Sequence, residues 1–101
     1  MSKKAQKEIP AARTVGRNLT ILNQFGIHAR PAALFVKTAS QFASDIQVEK
    51  EGSVVSAKSI MGLLTIEGSK GSILKVTATG LDAEEALDAL EDLVKQKFFE
   101  D

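Results

Sequence analysis

The sequence predicts an α+β open-faced sandwich, one sheet covered by helices on a single face. Three observations carry this reading. Apolar and polar residues alternate around Leu19–Ile21, Ile46–Val48 and Leu74–Ala78, the two-residue period of half-buried strands. Apolar residues recur at three-and-four spacing after Pro31 and again after Asp82, the stripe of a helix packed by one face. The chain has 101 residues, enough for one modest hydrophobic core and too few for two. Helices interleaved with few strands then suggest a single covered layer.

Met1 to about Gly16 is polar, rich in Lys and Ala, contains Pro10 and shows no apolar period. A flexible tail over residues 1–16 is expected, with the folded domain spanning 17–101. From Arg17 the pattern tightens, and Leu19 and Ile21 alternate with Asn18 and Thr20 in a first strand. After Pro31, the positions Leu34, Phe35, Thr38, Ala39 and Phe42 line one face of a first helix. Ile46 and Val48 alternate with Gln47 and Glu49. The Gly-containing KEGSV stretch turns the chain into a short third strand at Val54–Val55, so this pair reads as a hairpin. Ser59 precedes the apolar cluster Ile60, Met61, Leu63 and Leu64, which suits a short capped helix ended by Gly68 and Gly71. Leu74, Val76 and Ala78 alternate with Lys75, Thr77 and Thr79 in a fourth strand that breaks at Gly80. Asp82 and Glu85 form a D-x-x-E start resembling a capping box, and Ala86, Leu87, Leu90, Val94 and Phe98 give the stripe of a long last helix. The order is β-α-β-β-α-β-α. Strand order within the sheet does not follow from these patterns.

Composition removes several functions. Thirteen basic and thirteen acidic residues cancel, so no global field recruits nucleic acid or an anionic membrane, and any anion site must be local. Five phenylalanines without Tyr or Trp make a poor stacking surface for RNA. There is no cysteine and one histidine, so neither a thiolate site nor a typical zinc site is expected, and no metal or cofactor is assigned. No stretch approaches the ~20 apolar residues of a bilayer span. The opening MSKKAQKEIP is charged and lacks the apolar core of a secretory signal, which points to a cytoplasmic protein.

The single histidine lies in QFGIHARPAALF, Gln24 to Phe35. Pro31 is tolerated only in the first turn of a helix, which sets the start near Ala29 and places His28 at or just before the N-cap. The first backbone N–H groups, those of Ala29 and Arg30 among them, then lack intrahelical acceptors and carry a partial positive charge suited to an anion. Arg30 adds a permanent cation whose planar fork matches phosphate oxygens. Gly26 lets the chain turn tightly and hold the ring outside the helix. A neutral imidazole is nucleophilic, and the same features would stabilise a phosphoryl group bonded to it. No carboxylate neighbours His28 in the sequence, which argues against a hydrolytic site.

GIHARPAALFV together with the later AKSIMGLL closely resembles the family of histidine-containing phosphocarrier proteins, HPr, of the bacterial phosphoenolpyruvate:sugar phosphotransferase system. The resemblance runs from Arg17 to about Phe98. It implies a four-stranded antiparallel sheet with three helices on one face. It implies that His28 takes a phosphoryl group from enzyme I on Nδ1 and passes it to IIA domains of sugar permeases, with Arg30 contacting the phosphoryl group. Ser59 matches the serine that an HPr kinase/phosphorylase modifies in many bacteria, turning carrier into regulatory partner. Ala33, Lys37, Ile60, Met61 and Leu64 are the expected docking residues, and the protein is expected to be a monomer. Ser59 also reads simply as an N-cap, and Ile60, Met61 and Leu64 as core. Two departures stand out: Ser40 where many relatives carry a basic residue, and Glu67 where many have glycine, which puts the turn there in question. The competing readings are a carrier of the nitrogen-related phosphotransferase branch, with the same histidine and a destination other than sugar, and a regulatory module acting through phosphorylated Ser59.

Overall fold

A computed structural model of the chain describes residues 13–100. In chain order the elements are β1 (Arg13–Thr20), α1 (Ala29–Ala39), β2 (Asp45–Lys50), β3 (Ser53–Ser56), α2 (Ile60–Thr65), β4 (Ile73–Gly80) and α3 (Ala83–Lys95). A 3-10 turn at Lys97–Phe99 follows. The strands form one antiparallel sheet in the order β1-β4-β2-β3, and the expected sandwich is present.

Alternation makes one face of this sheet apolar. Leu19, Ile46, Val48, Leu74, Val76 and Ala78 are buried under the helices, while Asn18, Gln47 and Lys75 between them are exposed. Against that face α1 buries Pro31, Ala32, Phe35 and Ala39, and α3 buries Ala83, Ala86, Leu87, Leu90, Leu93 and Val94. The six-residue α2 buries only Leu63. Phe35 and Phe98 are the bulkiest wholly buried side chains. Each is worth about 1.5–3 kcal/mol of burial relative to exposure. No helix among the described residues is long and apolar enough to cross a membrane.

The tail expected over 1–16 reaches too far into the chain. Residues 13–16 belong to β1 and lie antiparallel to Gly80 through Thr77 of β4, so tertiary pairing extends a strand whose own polar start shows no alternation. Residues 1–12 lie outside the described ones. On the covered side of this edge strand, Arg17 forks to Glu84 (2.9 Å), Asp88 (2.7 Å) and Glu91 (2.7 Å) of α3. Its charge is committed to the strand–helix contact. The hairpin turn places Glu51 (φ 50°) and Gly52 (φ 88°) both in the left-handed region, as a two-residue type I′ loop requires.

Two expectations about α3 change. Asp82 stands at the N-cap but makes no capping bond. Its carboxylate instead accepts hydrogen bonds from the backbone N–H of Ala43 (2.9 Å) and Ser44 (3.0 Å) and from the Ser44 hydroxyl, pinning the α1–β2 loop to the end of β4. The helix itself stops at Lys95, and Phe98 enters the core from the 3-10 turn rather than from the helical stripe.

The Ser44 hydroxyl first, and then the Ala43 N–H, hold the Asp82 carboxyl below its ordinary 3.8. A depressed folded-state value means stability that is present above 3.8 and lost as pH falls through the lowered value. Asp82→Asn is therefore expected to be less stable than the parent at pH 7 and to lose less on acidification. Urea midpoints at pH 7 and pH 3 check this, and parallel losses in both proteins would assign the acid sensitivity elsewhere.

Candidate functional site

The site is built on the β1–α1 connection. Gly26 takes a left-handed conformation (φ 65°) and donates its N–H to the Asn23 carbonyl at 3.2 Å. Ile27 then binds the Gly68 carbonyl at 2.8 Å and is buried, which anchors the loop to the segment after α2. The chain emerges at His28 in an extended conformation (φ −98°, ψ −168°) as the N-cap of α1. Its carbonyl accepts the first helical bond, from Ala32 at 2.9 Å, while the imidazole makes no capping bond. Side chain and backbone thus have separate duties. The ring is 43% exposed.

Beside the ring stands the start of α1. Helix geometry leaves the N–H groups of Ala29 and Arg30 without intrahelical acceptors, and the macrodipole places roughly +0.5 charge there. The first turn holds no acidic residue to neutralise it. Arg30 is exposed and joins no ion pair among the described residues. The exposed imidazole, the first N–H groups of α1 and a guanidinium without an ion pair among the described residues therefore share one helix end.

The sequence reading missed two participants. Glu100 approaches His28 so that Oε1 lies 3.1 Å from Nε2, a carboxylate neighbour from 72 positions further along the chain. Wholly buried Asn23 donates from Nδ2 to the same Oε1 at 3.0 Å and to the Gly26 carbonyl at 2.8 Å. The hydrogen bond from His28, and next that from Asn23, hold the Glu100 carboxyl below its ordinary range, and the charge of Arg30 adds to this. The absence of a carboxylate near His28 in the sequence was no guide, because the fold supplies one.

An exposed aromatic side chain stands beside the ring. Phe25, 76% exposed, meets the imidazole edge-on, with centroids 6.4 Å apart and planes at 85°. Ile60 and Met61 are exposed on α2, which packs against α1, and Ala33 and Lys37 lie on the solvent side of α1. Leu64 is half-buried and packs against the core, so it belongs to the interior as much as to any docking face. Ser59 caps α2, its Oγ accepting from the Gly62 N–H at 3.0 Å. Glu67 is exposed at φ 51°, so a glutamate occupies a left-handed position that favours glycine. A cleft of about 220 Å³ between β1 and α3 is lined by Asn18, Leu22, Glu91 and Val94 among others, and none of the expected site residues reaches it. His28 stands exposed on the surface and outside that cleft.

Residues 15–96 match the family model described as the PTS HPr component phosphorylation site. The chain is 42% identical over 84 residues to the phosphocarrier protein HPr of Neisseria meningitidis serogroup A, a match covering 83% of this chain and 94% of that one. Among solved structures it is similar to an HPr of Thermoanaerobacter tengcongensis, with a TM-score of 0.83 and 50% identity, covering 86% of this chain and 98% of the other. A structure described as an HPr dimer from the same organism aligns with a TM-score of 0.70 and 54% identity, covering 81% and 94% of the two chains.

Proposed function

The chain belongs to the HPr family of phosphocarrier proteins of the phosphotransferase system, and we propose that its acceptor is His28, charged by enzyme I and discharged to IIA domains of sugar permeases. The observation that carries this is the placement of the exposed imidazole at the N-cap of α1, relieved of capping, beside Arg30 and the N–H groups of Ala29 and Arg30. These donors are fixed before any anion arrives, so they offset phosphoryl charge without reorganisation. Exposed Phe25 beside the ring, and exposed Ile60 and Met61 on α2, which packs against α1, support docking of a protein partner, with Ala33 and Lys37 on the solvent side of α1. In this reading the protein is a relay with no turnover of its own, working in the cytoplasm as a monomer. Incubation with phosphoenolpyruvate and enzyme I, followed by intact-mass measurement, tests it. One phosphate, labile to acid and stable to base, is expected, and no gain in mass refutes the reading.

Ser59 is the proposed regulatory position, open to an HPr kinase/phosphorylase. Its present capping role is compatible with that, because a phosphate of about −1.5 to −2 charges at a helix start is electrostatically favourable to the fold. The cost falls on docking, where the charge stands beside exposed Ile60 and Met61 and must be desolvated by an apolar partner surface. Ser59→Asp is accordingly expected to stay folded and to accept phosphate from enzyme I more slowly. Melting curves and acceptance kinetics at matched salt check this. Equal kinetics, repeated with the enzymatically phosphorylated protein, would remove Ser59 from the docking surface.

A further inference from the structure

The bond between His28 and Glu100 has a chemical direction. An ionised carboxylate only accepts hydrogen bonds, so the ring proton sits on Nε2 and the lone pair on Nδ1. Asn23 fixes the other side of the contact. Its Nδ2 lies between two acceptors, the Gly26 carbonyl and Glu100 Oε1, and turning the amide over would set oxygen against both. Because Asn23 is wholly buried, neither partner is easily exchanged for solvent. Glu100 is delivered by an unusual backbone. Lys97, Phe98 and Phe99 have φ of 52°, 56° and 59°, three successive residues in a region that side chains of this chirality enter singly. Buried Phe98 holds this run in place. The chain thus keeps a disfavoured turn whose outcome is one carboxylate on the far nitrogen of the acceptor ring.

We propose that Glu100, held by Asn23 and the 97–99 turn, is a positioning residue for phosphoryl transfer, fixing the tautomer in which Nδ1 is the nucleophile and offsetting the charge the ring acquires. The proposal rests on the reading of His28 as acceptor. In the forward step the Nδ1 lone pair forms the N–P bond while the bond from phosphorus to the donor atom breaks, its electron pair leaving with that atom. No proton moves. The ring, neutral before, becomes cationic with Nε2–H still facing the carboxylate. In the discharge step the N–P electron pair returns to Nδ1, and because Nε2 has kept its proton the ring departs as neutral imidazole rather than as its anion. A carboxylate behind the working histidine has the same orienting and charge-balancing part in serine hydrolase triads.

The test compares the full-length protein with Glu100→Ala and Glu100→Gln. Ring ¹⁵N shifts measured with the imidazole neutral report the tautomer, and single-turnover acceptance from enzyme I reports the chemistry. Wild type should show one Nε2–H signature. Glu100→Ala should draw the Nδ1 and Nε2 shifts toward an average and slow acceptance about three- to tenfold. Glu100→Gln keeps an accepting oxygen without the charge, so its shifts should resemble wild type while acceptance is still slowed. A Glu100→Ala protein with wild-type shifts, or with wild-type acceptance, overturns the proposal. If wild type takes no phosphate at all, the acceptor reading fails, and the ring shifts alone still decide whether Glu100 sets the tautomer.

Discussion

His28→Ala is expected to abolish phosphoryl acceptance from enzyme I while leaving the fold intact. The chain has no other imidazole and no cysteine, so no second side chain offers comparable nucleophilicity near neutral pH. The fold should not suffer, because the ring is exposed, makes no capping bond and contributes nothing to the core. What His28 gives to α1 is its backbone carbonyl, which accepts from Ala32 and is unchanged by the substitution. Asn23 still holds Glu100, so the 97–99 turn keeps one of its two polar anchors. A single exposed hydrogen bond is lost, a minor term beside an intact core. Mass spectrometry after incubation with phosphoenolpyruvate and enzyme I, beside a melting curve, checks both halves. An acid-labile phosphate recovered on the variant would transfer the acceptor role to another residue.

What could be read from the sequence was whatever a few consecutive residues decide. Pro31 sets the start of α1, and that alone puts His28 at the N-cap beside Arg30. Ser59 before an apolar cluster caps α2 by the same local logic. Strand alternation gave the covered face of the sheet, since the parity of Leu19, Leu74 and Val76 does not depend on which strand pairs with which. The failures share the opposite property. Asp82 has the side chain and spacing of a cap, yet its carboxylate finds three donors in the loop after α1, a choice that only tertiary proximity offers. Residues 13–16 are strand because β4 is long enough to pair with them. Glu100 meets His28 because the chain reverses after Lys95, and that reversal uses left-handed conformations at Lys97, Phe98 and Phe99, residues with no preference for them. Burial of Phe98 offsets what those conformations cost, and burial is not visible in a three-residue window.

Gly26→Ala should be the most damaging single methyl group in the site. Its φ of 65° is left-handed, which costs a residue with a Cβ about 1–2 kcal/mol. A Cβ there would also lie 2.8 Å from Ser69 Cα and closer still to the Gly68 carbonyl, both of them backbone. That backbone cannot yield freely, because Gly68 accepts the Ile27 N–H at 2.8 Å and a Cβ on Gly68 would itself crowd the Ile27 side chain. Overpacking of this kind adds about 1–3 kcal/mol, for a sum of roughly 2–5 kcal/mol. At about 4–8 °C per kcal/mol for a domain this size, the melting temperature should fall by about 8–40 °C. The Gly26 carbonyl accepts from both Asn23 Nδ2 and the His28 N–H, so any shift of this residue also moves the ring relative to Glu100. Acceptance should therefore drop in the fraction that remains folded. Gly52→Ala separates the two components, because Gly52 has φ 88° and a methyl group at that position would meet nothing within 4 Å, leaving only the conformational cost. Equal melting temperatures for the two variants would mean that the 67–70 segment gives way, and that Gly26 is needed for its conformation alone.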